Sequence, residues 1–103
     1  ESPSLKLINL LLKEKAHVRV YDPVAMDNTR KLLKNKVEYS KDIYDCVNKA
    51  DVTILVTEWD EFKNVDLKSI KKLMKGLYFF DGRNMYEPSI MKKLGFKYFS
   101  VGR

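Results

Sequence analysis

The chain has 103 residues and a mass of 12.1 kDa, which fits one domain over residues 1–103 and excludes two independent cores. Hydrophobic residues make up 45% of it and charged residues 33%, which excludes a disordered or fibrous protein, and no apolar run reaches the roughly 18 residues of a membrane span. Sixteen of the twenty basic residues are lysines scattered along the chain, so the net charge of +6 favours a solvated surface over nucleic-acid binding.

The first half of the chain predicts helices that alternate with two short strands. A hydroxyl cap and a proline at Ser2-Pro3 begin the first helix, and Asp22-Pro23 ends the first strand because proline cannot continue a ladder. Ser40 is predicted to cap the third helix, whose buried face includes Cys46. In order, the predicted elements are a helix over 3–15, a strand over 18–21, a helix over 25–34, a strand over 37–39 and a helix over 41–50.

The second half predicts three strands rich in β-branched and aromatic residues. The first of them, residues 51–56, is typical of a central parallel strand covered on both faces. Asp66 is predicted to cap the next helix, Gly76 to end it as a C-terminal cap, and Gly95 to stop the last helix. In order, the predicted elements are a strand over 51–56, a helix over 67–74, a strand over 77–80, a helix over 87–94 and a strand over 96–101.

This alternation predicts an α/β fold, a Rossmann-like three-layer α/β/α domain with a mostly parallel sheet of about five strands. A doubly wound fold opens with a strand, whereas this chain opens with a helix. The strand over 18–21 therefore takes the second position, and the first, central strand of the fold is predicted to be missing. A strand edge left open in this way favours pairing with another copy, so we expect a homo-oligomer or a disordered edge.

One cysteine and one histidine are too few for an internal disulfide or a metal cluster, so we expect no metal site. The opening residues Glu1-Ser2-Pro3 lack the basic head of a signal peptide. Together these features favour a cytoplasmic protein.

Ligands of open α/β sheets bind beyond the carboxyl ends of the strands. Arg83 follows an apolar strand and a glycine, where a guanidinium can hold phosphate or carbonyl oxygens through two parallel hydrogen bonds. The alternative is that Arg83 pairs with a carboxylate such as Asp81 or Glu87. The four strand ends that qualify are Asp22-Pro23, Thr57-Glu58-Trp59, Asp81-Gly82-Arg83-Asn84 and Gly102-Arg103.

Four other residues carry weaker signals. Trp59 is suited to stacking on a base or sugar, but packing is the more common role of a lone tryptophan. Asp22 stands where a dinucleotide fold has its ribose-binding acid, yet no glycine fingerprint precedes it, so we favour a turn residue. His17 and Cys46 stand in no recognisable catalytic motif, which favours structural roles.

Several short stretches of the sequence, taken in their order along the chain, indicate a protein family more specifically than the hydrophobic periodicity does. They resemble the C-terminal, UDP-binding domain of the UDP-glucose/GDP-mannose dehydrogenase family, and the resemblance covers essentially the whole chain. The stretches are Glu1-Ser2-Pro3-Ser4, Val20-Tyr21-Asp22-Pro23, Ile54-Leu55-Val56-Thr57-Glu58-Trp59-Asp60-Glu61-Phe62 and Phe80-Asp81-Gly82-Arg83-Asn84.

The resemblance implies that this chain orients a nucleotide sugar within a larger NAD-dependent 6-dehydrogenase. In that family an N-terminal domain holds most of the NAD, and a cysteine of a motif absent here carries the covalent intermediates, so no residue of this chain is expected to be catalytic. Arg83, with Gly82 and Asp81, is implied to bind the substrate. Glu1 and Ser2 are implied to border the NAD cleft.

The implied reaction is the oxidation of UDP-glucose to UDP-glucuronate with two NAD. UDP-N-acetylmannosamine and GDP-mannose are the alternative substrates that the resemblance leaves open. From a different class, a stand-alone basic α/β binding module is the alternative. The implied partners are the UDP-sugar, the N-terminal domain of the same enzyme and further copies of the chain.

Overall fold

The computed structural model describes residues 2–102. No helix in this part of the chain is long and apolar enough to cross a membrane. The helices are α1 (Pro3–Lys13), α2 (Met26–Leu33), α3 (Ile43–Val47), α4 (Asp60–Lys63), α5 (Leu67–Leu73) and α6 (Pro88–Leu94), with a 3₁₀ turn at Lys34–Lys36. The strands are β1 (Arg19–Val20), β2 (Glu38–Tyr39), β3 (Val52–Leu55), β4 (Tyr78–Asp81) and β5 (Lys97–Ser100).

The predicted order of helices and strands is confirmed, and every strand pairing is parallel. Two additional elements in the described residues are the 3₁₀ turn at Lys34–Lys36 and α4, a single turn that follows the strand end containing Glu58. Four of the five strands are shorter than predicted, and β1 and β2 have only two residues each, whereas β4 has the predicted four residues. The chain divides into two compact units, one ending at Cys46 and the other beginning at Val47. One domain over residues 1–103 stays a prediction.

The first unit contains the two-stranded sheet β1-β2. Ser2 caps α1 as predicted, since its Oγ accepts a hydrogen bond from the Leu5 N–H. The predicted cap at Ser40 is wrong. Ser40 is buried, its N–H donates to the Val20 carbonyl, and Asp42 instead accepts the Asp45 N–H at 2.7 Å. Ser40 therefore extends the strand pairing, and Asp42 provides the side-chain acceptor at the start of the helix.

The second unit contains a three-stranded sheet in the order β3-β4-β5. The crossovers β3-α5-β4 and β4-α6-β5 run in the same direction, and right-handed crossovers of this kind place both helices on one face. That face and its helices form the core, which contains Leu55, Phe62, Ile70, Met74, Phe79, Met91, Phe96 and Tyr98.

The opposite face of this sheet is apolar but remains exposed. Ile54 and Phe80 keep 37% and 41% of their surfaces exposed, and the rings of Phe80 and Phe99 stack at 4.9 Å. The prediction that the strands are covered on both faces is therefore wrong for one face. Apart from Thr53 and Asp81, β3 and β4 carry apolar or aromatic residues on both faces, so their composition does not indicate which face lacks a neighbour.

All five predicted strands are present, but they form two sheets instead of one. Among residues 2–102, β1 pairs with β2 alone and β3 pairs with β4 alone. The missing first strand stays a prediction.

Gly76 is required by a close backbone contact. Its predicted role as a helix C-cap is wrong, because Met74 occupies that position with extended backbone angles. The Gly76 N–H donates to the Ala50 carbonyl, and a Cβ at Gly76 would lie 2.3 Å from the Asp51 carbonyl oxygen. The predicted cap at Gly95 is confirmed, with φ +103.

We predict that Gly76→Ala destabilises the protein by about 1–3 kcal/mol, because the segments that lead into β3 and β4 must separate to admit the methyl group. Urea denaturation followed by circular dichroism measures this loss. Gly102→Ala is the comparison that measures backbone strain alone, since φ is +69 there and no atom lies within 4 Å of the added Cβ. Unchanged stability of Gly76→Ala would contradict the contact.

Candidate functional site

The carboxyl ends of β3 and β4 lie side by side, because Leu55 and Asp81 are paired in the parallel register. The segments that follow these two strands carry Glu58 and Arg83 respectively. The structure therefore brings together the strand ends at 57–59 and 81–84, and β5, which pairs with β4, ends at the same edge of the sheet. Arg103, predicted with Gly102 at the end of β5, lies outside the described residues. Both segments belong to the second unit.

Arg83 presents its guanidinium to solvent. Its side chain is 52% exposed, and Nη2 lies 3.4 Å from Oε1 of Glu58, which is 49% exposed. The predicted alternative of a carboxylate partner is thus realised by Glu58, and not by Asp81 or Glu87. An exposed ion pair of this kind contributes only about 0–1 kcal/mol. Arg83 can exchange this partner for an anionic ligand at little cost.

Asp81 is 1% exposed and organises the loop that carries Arg83. Its Oδ1 accepts the Arg83 N–H at 3.0 Å, and its Oδ2 accepts the Met85 and Tyr86 N–H groups at 2.8 and 3.0 Å. The Tyr98 hydroxyl donates to Oδ2 at 2.6 Å. Four donors around one carboxylate compensate for its removal from water.

Gly82 and Asn84 flank Arg83 and fix the loop at its two ends. The Gly82 N–H donates to the Leu55 carbonyl at 2.9 Å, and an added Cβ would lie 3.0 Å from that oxygen. Asn84 has φ +52, and its amide group bonds both the N–H and the carbonyl of Val101 at 2.9 and 2.8 Å. The backbone on both sides of Arg83 is therefore held in place.

The residues predicted to border a cofactor lie at the start of the chain. Ser2 is exposed, and its Oγ serves as the cap of α1. Glu1 lies outside the described residues. A role of either residue toward NAD stays a prediction.

Three of the four weaker candidates, Asp22, His17 and Cys46, take structural roles, and Trp59 is half-buried with an indole N–H that has no hydrogen-bond partner among the described residues. Asp22 is a turn residue as favoured, since its Oδ1 accepts the Val24 and Ala25 N–H groups. His17 is exposed beside Glu38, with Nε2 2.8 Å from Oε1. Burial raises the pKa of the Cys46 thiol and outweighs the opposing charge of Arg19, so this thiol is a poor nucleophile at neutral pH. No group of residues in the described range could hold a metal ion.

Tyr98 and Tyr86 are the residues of this site that sequence reasoning does not identify. The Tyr98 hydroxyl also lies 3.0 Å from the Tyr86 carbonyl, which joins β5 to the loop. Tyr98 faces inward from the last strand, on the same face of the sheet as Asp81. That shared face becomes apparent only once the parallel register of the strands is known.

The fold is that of a nucleotide-sugar dehydrogenase domain. A UDP-D-ManNAc dehydrogenase from Pyrococcus horikoshii is similar with a TM-score of 0.59 and 21% identity, over 94% of this chain and 29% of that one. At this identity the likeness concerns the fold alone. The sequence defines the family: residues 1–88 match its UDP binding domain, and the chain belongs to the UDP-glucose/GDP-mannose dehydrogenase family.

Two related proteins support this family membership. The UDP-glucose 6-dehydrogenase TuaD of Bacillus subtilis is 35% identical over 99% of this chain and 22% of its own length. The UDP-glucose 6-dehydrogenase of Rhizobium meliloti is 36% identical over 100% of this chain and 23% of its own length. The chain thus spans less than a quarter of the length of these two relatives.

We predict that Tyr98→Phe destabilises the protein by about 1–2 kcal/mol, because the buried Asp81 carboxylate loses a donor while the ring still packs. Chemical denaturation measures the change. Tyr78→Phe is the matched control on the neighbouring strand, where the side chain is exposed, and should change stability by less than about 0.5 kcal/mol. Equal losses for the two variants would argue against the Asp81–Tyr98 bond.

Proposed function

We propose that this chain is the part of a UDP-glucose 6-dehydrogenase that binds the UDP group of the substrate, with Arg83 as the principal phosphate ligand. The observation that carries this proposal is an exposed guanidinium on a structured loop at the carboxyl end of a central parallel strand. Such strand ends are where open α/β sheets bind ligands. A planar guanidinium matches the oxygens of a diphosphate through paired hydrogen bonds.

The electrostatics of the site support a diphosphate ligand. The chain carries a net charge of +6, which attracts an anion at long range. Arg83 and Glu58 form an exposed pair, so binding replaces one acceptor of the guanidinium by another. Asp81 and Gly82 contribute to the proposed site by holding the backbone of the loop that carries Arg83.

In the proposed enzyme, binding of the UDP group contributes to catalysis by positioning the sugar. Interactions with a remote, unreactive group can hold the C6 alcohol against the reacting groups in the rest of the protein. This chain would then act by orientation. No catalytic residue is proposed within it, and the half-buried Cys46 thiol, whose pKa is raised by burial, is a poor nucleophile at neutral pH.

The residues of this chain do not fit an NAD site of the Rossmann type. Such a site needs a G-x-G-x-x-G turn between a strand and a helix, and the four glycines of the sequence stand too far apart to form one. We therefore assign NAD to the rest of the proposed enzyme, with Glu1 and Ser2 at the border of its cleft. Contact with that N-terminal domain, a homo-oligomeric state and a cytoplasmic location are further parts of this proposal.

We predict that Arg83→Ala weakens UDP binding about 10- to 100-fold, the loss expected from one or two hydrogen bonds to a charged group. Titration calorimetry of the intact protein with UDP, and with GDP in parallel, measures the dissociation constants. Lys72→Ala is the control, because it removes the same charge from an exposed position on α5. Equal affinities of the Arg83→Ala and unchanged proteins would remove Arg83 from the site.

We also expect the 103-residue chain alone to produce no NADH from UDP-glucose and NAD, since it offers neither a reactive thiol nor a dinucleotide site. The absorbance of NADH at saturating substrate is the readout. Binding of UDP by the same sample serves as the positive control for folding. NADH production above the level of a buffer blank would refute the proposed division of roles.

A further inference from the structure

We propose that Asp81 and Asn84 are positioning residues that set the affinity for a nucleoside diphosphate without touching it, by holding the backbone on either side of Arg83. This inference rests on the proposed function, because it assumes that Arg83 is the phosphate ligand. It assigns to Asp81 an indirect role in place of a direct contact with the substrate.

The hydrogen-bond geometry around Asp81 points to this role. Both carboxylate oxygens accept N–H groups of the same short loop, from Arg83 on one side and from Met85 and Tyr86 on the other. The carboxylate therefore lies inside the turn whose tip carries the guanidinium. With 1% of the residue exposed, a ligand in solvent cannot reach it.

Chemistry also argues against direct contact of Asp81 with a diphosphate. A carboxylate and a phosphate are both anionic acceptors, so they repel one another unless a proton or cation lies between them. Any contribution of Asp81 to diphosphate affinity must then pass through the groups that it orders. The nearest of these is the Arg83 backbone, whose N–H it accepts at 3.0 Å.

Asn84 provides a second, independent anchor on the other side of Arg83. Its side-chain amide bonds both backbone groups of Val101, just after β5, and its φ of +52 turns the chain sharply. Arg83 is thus held between a bond to β4 and a bridge to the end of β5. A loop fixed before binding loses less conformational freedom when the ligand arrives, which raises affinity without a new contact.

The test is a double-mutant cycle on UDP affinity in the intact protein, with Asp81→Asn, Arg83→Ala and the double variant. Asp81→Asn places an amide donor against loop N–H groups and should weaken UDP binding about fivefold or more. A purely electrostatic effect has the opposite sign, because removal of a negative charge near a diphosphate strengthens binding. In the Arg83→Ala background, Asp81→Asn should change the affinity by less than about twofold.

Asn84→Gly is the second variant, and it decides the matter if Asp81→Asn does not fold. Glycine keeps the left-handed backbone and removes the bridge to Val101. UDP binding should therefore weaken severalfold in the protein that retains Arg83, and it should not weaken further in the Arg83→Ala variant. Thermal unfolding confirms that each variant is folded at the assay temperature.

Unchanged affinity in the folded variants, or losses that persist in full without Arg83, would overturn the positioning role while leaving the proposed function intact. Failure of the unchanged protein to bind UDP would overturn the proposed function itself.

Discussion

The second unit of this protein depends on one buried carboxylate at the end of its central strand. Asp81 ties three parts of the chain together: the end of β4, the loop behind it, and β5 through Tyr98. The burial of a charged group is unfavourable in itself, and it is tolerated only because four donors surround it. The same requirement fixes the loop, since the donors must keep their positions for the charge to remain buried. Stability and the presentation of Arg83 therefore have one physical origin.

Much of the fold follows from local signals in the sequence. Helix caps at Ser2, Asp66 and Gly95 and the apolar strands predict the element order, because each of these signals acts over a few residues. The pKa of Asp66 is lowered by its bonds to Ser69, as expected of a helix cap. The predicted helix caps at Ser40 and Gly76 are wrong, because contacts with distant backbone determine the roles of these residues. Ser40 bonds the Val20 carbonyl, and Gly76 lies against the backbone of Asp51.

The candidate site was predictable in part. The rule that ligands bind at strand carboxyl ends predicts the loop with Arg83, and the resemblance to a family predicts the same residue independently. The partners of the loop could not be predicted from spacing. Glu58 is 25 residues from Arg83 and Tyr98 is 17 residues from Asp81, and both pairs meet only because neighbouring parallel strands bring them together.

The exposed apolar face of the three-stranded sheet affects how substitutions in this protein should be interpreted. Ile54, Phe80 and Phe99 keep 37%, 41% and 50% of their surfaces exposed. A change from one of them to a polar residue should therefore cost less folding stability than a change in the core. A mutational scan that selects for the activity of the proposed enzyme would report a stricter constraint at the same positions wherever another surface covers them. The difference between two such scans would map that contact residue by residue.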